Sequence, residues 1–315
     1  AYLDLPDYYK SLEYCFKAVK FYNAIGERSD HLAKSFNNIG NAYEKLKELD
    51  KALDYYNRAL SIQRELDDQG EVAILLDNIA NIFSLQAEET EDKLVKAFKY
   101  NAALDNYFLS LKIRLLVKDR SGEATVYGNI GAAYEHLGDY SKASEYLGKS
   151  LLIRQQLGIP SDISNSLNGI AHLYLSLKNY PMSVEYGLQA LALADSIKET
   201  EQIKSSSEIL SNAYFELKQF DRSLKHYKRF VAIRDSMMNV QGAKQLAQEE
   251  SRQEYEKREQ KIKLEQEARQ AIALAESKKQ RAILLSVAGS LLLVLIFSGF
   301  IFQSLRVTRK QKALI

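Results

Sequence analysis

The chain has 315 residues, with 43 Lys and Arg against 41 Asp and Glu, 20 Tyr, three Pro, one Cys and no Trp. So few prolines beside so many tyrosines fit an all-helical protein with aromatic side chains wedged between helices, and a lone cysteine excludes an intramolecular disulfide. The near-zero charge hides a split. Residues 236–315 carry 14 Lys and Arg against 8 Asp and Glu, and the remainder 29 against 33, so the larger part is mildly acidic and has no nucleic-acid footprint.

In chain order, Ala1 opens the sequence without a signal-peptide pattern. The stretch from Lys10 to Ala18 aligns with Lys51 to Ala59, the second helix of a repeat whose first helix is missing, and leads us to expect a piece of something longer. Cys15 falls in an apolar run and is expected as a packed thiol. Then one phrase recurs: Phe36-x2-Ile39-Gly40-x2-Tyr43, Leu76-x2-Ile79-Ala80-x2-Phe83, Tyr127-x2-Ile130-Gly131-x2-Tyr134, Leu167-x2-Ile170-Ala171-x2-Tyr174 and Ser207-x2-Leu210-Ser211-x2-Tyr214. The apolar anchors are 40, 51, 40 and 40 residues apart. Self-similarity at a fixed period is the mark of a solenoid.

The phrase resembles the tetratricopeptide (TPR) repeat, and the resemblance covers roughly residues 7–235. It implies pairs of antiparallel helices. The small residues Gly40, Ala80, Gly131, Ala171 and Ser211 would let each first helix lie close to its partner. Ala52, Ala103, Ala143, Ser183 and Ser223 would face them, with Tyr43, Phe83, Tyr134, Tyr174 and Tyr214 filling the space between helices. The period is longer than usual and the closing Pro is absent. Gly70, Gly122 and Gly158 stand near that point, which predicts a longer second helix ending on a glycine cap. Repeats of this length look like those of kinesin light chains and many bacterial signalling proteins. The second repeat carries an insert of 11 residues within 86–99. There Ala87-Glu88-Glu89 reads as loop, while Leu94, Val95 and Phe98 extend the following helix.

Residues 236–281 read as one long charged helix, with Glu254–Arg258, Glu259–Lys263 and Glu265–Arg269 as i, i+4 pairs. Tyr255 and Ile262 start a heptad that Arg269 and Glu276 do not sustain, so a coiled coil and a lone solvated helix are both open. Residues 282–303 then form an apolar stretch, uncharged from Ile283 to Phe302 and about 30 Å long as a helix, which predicts one transmembrane span. Lys278, Lys279 and Arg281 precede it and a basic segment, 304–315, follows, so charge does not orient it. Ala282, Ser286 and Ser290 make a small-residue stripe that could pair two spans, hence a possible homodimer through stalk and span.

The sequence has no P-loop, no His-Glu-x-x-His, no Cys-x-x-Cys and no Gly-x-Ser-x-Gly, and His31, His136, His172 and His226 have no ligand spacing. No catalytic residue, metal or cofactor is expected. The polar residues that recur lie on the first helices, which in the TPR family line the concave groove. Asn37, Asn41, Asp77, Asn81, Asn168, His172 and Asn212 are therefore the expected peptide-binding residues. An amide offers donors and an acceptor and can bond an extended backbone without dictating its sequence. Asn38, Asn78 and Asn129 either join that set or tie adjacent repeats together. A carboxylate clamp is not expected, because Asn37 and Asn168 or Gly169 stand where Lys and Arg would be needed.

The order of parts, a TPR array, long charged helix, single span and basic exit, resembles the sensory half of bacterial membrane-bound sensor histidine kinases. That resemblance implies an extracytoplasmic array in the inner membrane, a protein or peptide ligand and an output domain beyond Ile315. A membrane nucleotide cyclase or phosphatase input region, or a tail-anchored TPR scaffold, are the alternatives.

Overall fold

The computed structural model describes residues 8–26 and 28–312, and from residue 239 onward the side chains of only some residues. Two compact units are distinguished, one up to Arg252 and one from Gln253 onward. In the first, short polar turns cut the chain into helices of similar length. These are α1 (Tyr8–Ala24), α2 (Asp30–Lys45), α3 (Leu49–Glu65), α4 (Gln69–Glu88), α5 (Lys93–Val117), α6 (Arg120–His136), α7 (Tyr140–Leu157), α8 (Pro160–Ser176), α9 (Tyr180–Ile197) and α10 (Thr200–Glu216). α11 (Phe220–Lys312) begins as the second helix of the fifth hairpin and is helical without a break at residues 236 or 282. The second unit holds the remainder of α11. No strand occurs among the described residues.

Local chemistry sets the boundaries. Asp68, Asp119, Asp139 and Asn179 each accept the backbone N–H of the residue three further on, satisfying a donor that a new helix leaves unpaired. Four first helices end alike: Lys47, Gly138, Lys178 and Lys218 take left-handed φ values of 62°, 79°, 59° and 60°. The following N–H reaches back five residues, as in Glu48 N to Tyr43 O at 2.9 Å and Asn179 N to Tyr174 O at 2.8 Å. The glycine caps expected on the second helices hold only at Gly158 (φ 72°). Asp67, Lys118 and Lys198 fill the corresponding positions, and Gly70 and Gly122 lie in the first turns of α4 and α6 instead. The insert lengthens α4 and α5 to 20 and 25 residues and leaves only a short turn between them. Ala87, expected in a loop, is a buried α4 residue, whereas Leu94 and Phe98 extend α5 as expected and are 82% and 69% exposed.

The repeated phrase fills the core. Ile39, Ile79, Ile130, Ile170 and Leu210 are all buried, as are Ala52, Ala103, Ala143, Ser183 and Ser223 opposite. Serine is accommodated in the last two places because Ser183 Oγ donates to Ala171 O and Ser223 Oγ to Ser211 O, each at 2.8 Å, so neither of these two hydroxyls is left unpaired. The wedges stack on a ring twelve residues later: Tyr43 on Tyr55, Tyr134 on Tyr146, Tyr174 on Tyr186 and Tyr214 on His226, with centroids 5.5–5.8 Å apart. Cys15 packs against the first core cluster, and burial pushes its thiol up.

Among the described residues no helix is long and apolar enough to cross a membrane. Most side chains of 282–303, including Ala282, Ser286 and Ser290, lie outside the described residues, as do those of Glu254, Arg258 and Glu259. Leu284, Leu285, Leu291, Leu295, Phe297 and Ile301 are described and exposed.

Candidate functional site

The first helices α2, α4, α6, α8 and α10 are tied to one another by polar side chains, and those ties decide which groups remain for a ligand. Asn78 Nδ2 donates to Asn37 Oδ1 at 3.1 Å, linking α4 to α2. The Tyr56 hydroxyl lies 2.8 Å from Asn41 Oδ1 and 2.9 Å from Glu44 Oε2, and the Tyr107 hydroxyl donates to Asn81 Oδ1 at 2.6 Å. Asn129 Nδ2 reaches the same Asn81 oxygen at 3.5 Å. Asn78 and Asn129 thus join adjacent repeats, while Asn38 is exposed and makes no hydrogen bond among the described residues. The amide NH2 groups of Asn37, Asn41 and Asn81 have no partner among the described residues and remain available as donors.

Two of the expected residues are taken up by the scaffold. Asp77 is only 7% exposed and pairs with Arg114 of α5, which also reaches Asp119. Asn168 is buried: its Nδ2 donates to Gln202 Oε1 at 3.0 Å, and its Oδ1 accepts from Ser206 Oγ at 2.7 Å. Its amide locks α8 to α10.

His172 and Asn212 stay open. With Asn165, Gly169, Ser205 and Glu208 they line a cavity of about 340 Å³ between α8 and α10, so Asn168, His172 and Asn212 are brought together from the expected set. Glu208 and Asn212 make no hydrogen bond or ion pair among the described residues. His172 Nδ1 lies 2.7 Å from Glu135 Oε1 of α6, which also accepts from Ser176 Oγ at 2.7 Å. The bond to Glu135 holds the imidazolium, raising the His172 pKa against burial, and Glu208 adds to the effect. Burial pushes Glu135 up, but the bonds from His172 and Ser176 outweigh it and hold the carboxyl below its usual range.

Glu135 and Glu208 were absent from the expected site. The signal for Glu135 was its place directly after a wedge tyrosine, shared with Glu44 after Tyr43; both reach out to bond a residue of another helix.

The link has a testable sign. Because the folded His172 pKa is raised, its contribution is fully present below the free-imidazole value of about 6.5 and is lost as pH rises through the folded value. NMR titration should place the His172 midpoint above that of a free imidazole, and Glu135→Gln should bring it down. His226, lowered by burial, Lys225 and Arg229, should titrate on the other side. Equal midpoints for the two histidines would contradict the geometry.

Among the described residues no cluster could hold a metal ion. Glu135 is engaged by His172 and Ser176, while Glu208 shares the cavity with the amides of Asn165, Asn168 and Asn212, which offers a ligand both hydrogen-bond donors and acceptors.

The comparisons agree with this architecture. Tetratricopeptide repeat family models match residues 33–66 and 124–157. The fold is similar to BtubC (BKLC) from P. vanneervenii, with a TM-score of 0.60 at 17% identity over 74% of this chain and 92% of that one. It is also similar to a Rap protein complexed with competence and sporulation factor, with a TM-score of 0.50 at 15% identity over 74% and 75%. A STAND protein with a tetratricopeptide repeat sensor from Pyrococcus horikoshii matches with a TM-score of 0.50 at 19% identity, over 75% of this chain and 39% of that one. At such identities the likeness is one of fold. No curated protein matches the chain. The two matched stretches are tetratricopeptide repeats, and the hairpins around them repeat the same fold.

Proposed function

We propose that the chain is the ligand-capturing input part of a single-pass membrane signalling protein, arranged as in sensor histidine kinases, with the array outside the cytoplasm and an extended peptide segment as ligand. The observation that carries this reading is the open cavity between α8 and α10, where Asn212 and Glu208 face solvent with no partner among the described residues. Along the same row of first helices, free amide donors at Asn37, Asn41 and Asn81 suit the carbonyls of an extended backbone. That a Rap protein of similar fold is complexed with competence and sporulation factor supports capture of a ligand by such an array.

The membrane part of the reading rests on composition. Residues 282–303 are 22 consecutive uncharged positions between basic flanks, and the described leucines there are exposed. A ligand bound to the array could report through α11, since that helix leads out of the fifth hairpin.

Two measurements test this. An array of random nine-residue peptides, probed with the full chain, should give bound spots that Asn212→Ala weakens about fivefold, the loss of one hydrogen bond of about 1 kcal/mol, without a change in melting temperature. Asn212 is the informative position because Asn41→Ala would also unpair the Tyr56 hydroxyl. Membranes washed with alkaline carbonate should retain the full chain and release a version lacking residues 282–315. Spots unaffected by Asn212→Ala would remove the cavity from the reading, and release of the full chain would remove the span.

A further inference from the structure

A second opening lies beside the first. Between α10 and α11 a cleft of about 530 Å³ is lined by Phe215, Phe220, Leu224 and Tyr227, with Asp221 and Asn212 at its edge. Phe215 and Phe220 are 59% and 58% exposed, and Leu224 and Tyr227 about half exposed. In the fourth hairpin part of this face is covered by the first helix of the next one: Val184 and Leu191 of α9, forty residues before Leu224 and Val231, pack with Leu210 and Ile203 of α10. After α11 no such helix follows within the first unit, so the aromatic face is left open. Asn212 belongs to both openings, which makes them one continuous surface.

The charges on this surface are one-sided. Neither opening is lined by Lys or Arg. The one cation of the cavity, His172, is bonded to Glu135 and also feels Glu208, so carboxylates outnumber it, and neither Glu208 in the cavity nor Asp221 in the cleft has a hydrogen bond or ion pair among the described residues. A ligand that fills both openings therefore brings a cation to Glu208 and a large apolar side chain to Phe215, Phe220 and Leu224. A carboxylate at Glu208 would meet a like charge.

We infer that the joined openings are a bipartite subsite selecting an extended peptide with an Arg or Lys two or three residues from a Phe, Leu or similar apolar side chain. The spacing follows from α10 itself. Glu208 and Phe215 are seven residues apart, about 10 Å along the helix, and an extended chain covers that in about three residues. The basic residue supplies charge discrimination and the apolar one burial, and Asn212 stands where the backbone crosses from one opening to the other. The inference rests on the groove reading above and adds the chemistry of the ligand.

The test uses the full chain in detergent and three fluorescein-labelled nine-residue probes in a Gly-Ser background, read by fluorescence anisotropy at low salt. One probe carries Arg and Phe three positions apart, one replaces the Arg with Glu, and one replaces the Phe with Ser. The Arg–Phe probe should bind at least tenfold more tightly than the Glu–Phe probe and about fivefold more tightly than the Arg–Ser probe. Glu208→Gln should erase the first preference and keep the second, and Leu224→Ser should do the reverse. Both residues are exposed, so the variants keep the fold, which circular dichroism checks. Equal affinity for the three probes, or preferences unmoved by these variants, overturns the bipartite subsite and leaves groove binding intact. So does binding of none of the probes while random nine-residue peptides still bind. Loss of all peptide binding overturns the groove reading as well.

Discussion

Asp77→Ala should destabilise the array by about 3–5 kcal/mol, the largest effect expected of any single substitution here. Arg114 and Asp77 face each other across the second hairpin with almost no solvent access. Arg114 Nε donates to Asp77 Oδ2 at 3.1 Å and to Ser110 Oγ at 3.2 Å, and Ser110 Oγ donates onward to Ala73 O at 3.0 Å. Arg114 also reaches Asp119, the cap of α6, so one guanidinium ties α4, α5 and the start of the next repeat. Deleting the Asp77 carboxylate leaves that cation with only the half-exposed Asp119 to balance it, and breaking a buried pair from one side typically costs about this much. Replacing both partners with apolar residues should recover most of the loss, because the desolvation cost disappears with the charges. Urea unfolding of the single and double variants measures both. A single variant within 1 kcal/mol of the parent would show that water reaches the pair. Since each repeat contacts mainly its neighbours, the defect should lower the cooperativity of unfolding as well as its midpoint.

The same residue shows where sequence reading stops. That Ile39, Ile79, Ile130, Ile170 and Leu210 are core, and that small residues face one another across each hairpin, could be read directly, because steric fit recurs at a fixed local spacing. Which groove residues are free could not. Asp77 is claimed by Arg114, 37 residues away, and Asn168 by Ser206, 38 residues away. Arg114 comes from the second helix of the same hairpin and Ser206 from the first helix of the next, and neither leaves a trace in the phrase that marks the groove. His172 and Asn212 were legible as open positions only in the sense that they share a row with Asn41 and Asn81, both of which hold a tyrosine hydroxyl instead.

Glycine misled for a related reason. The left-handed position after a helix favours Gly but admits Lys at a cost of about 1 kcal/mol, and here Lys118 and Lys198 take it. Gly122 is needed elsewhere. A β-carbon there would lie 1.6 Å from an Arg114 guanidinium nitrogen, so that glycine makes room for the buried pair.

Two glycines of the third hairpin should respond to alanine with opposite signs. A helix-interior glycine is disfavoured by about 1 kcal/mol relative to alanine. Gly148 of α7 is exposed and a β-carbon there would meet nothing within 4 Å, so Gly148→Ala should stabilise by roughly that amount. Gly131 of α6 has the same intrinsic preference and the opposite surroundings: a β-carbon would lie 2.7 Å from Leu147 Cγ and 3.1 Å from the Leu147 backbone nitrogen. Neither atom is the free end of a side chain, so α6 and α7 would have to separate. Overpacking of this kind costs about 1–3 kcal/mol, more than the helical preference returns. The fourth hairpin shows the compensation the third lacks. Ala171 stands in the place of Gly131, and Gly187 in the place of Leu147, so the methyl group has moved to the other helix's side of the contact as the leucine was lost. Gly131→Ala should therefore be less harmful in a Leu147→Ala background than in the parent, with a coupling of about 0.5–3 kcal/mol between the two sites. Thermal or urea unfolding of the four chains measures it. Additive losses, or a stabilising Gly131→Ala, would mean that close approach of α6 and α7 is not what the repeated Ile-Gly phrase secures.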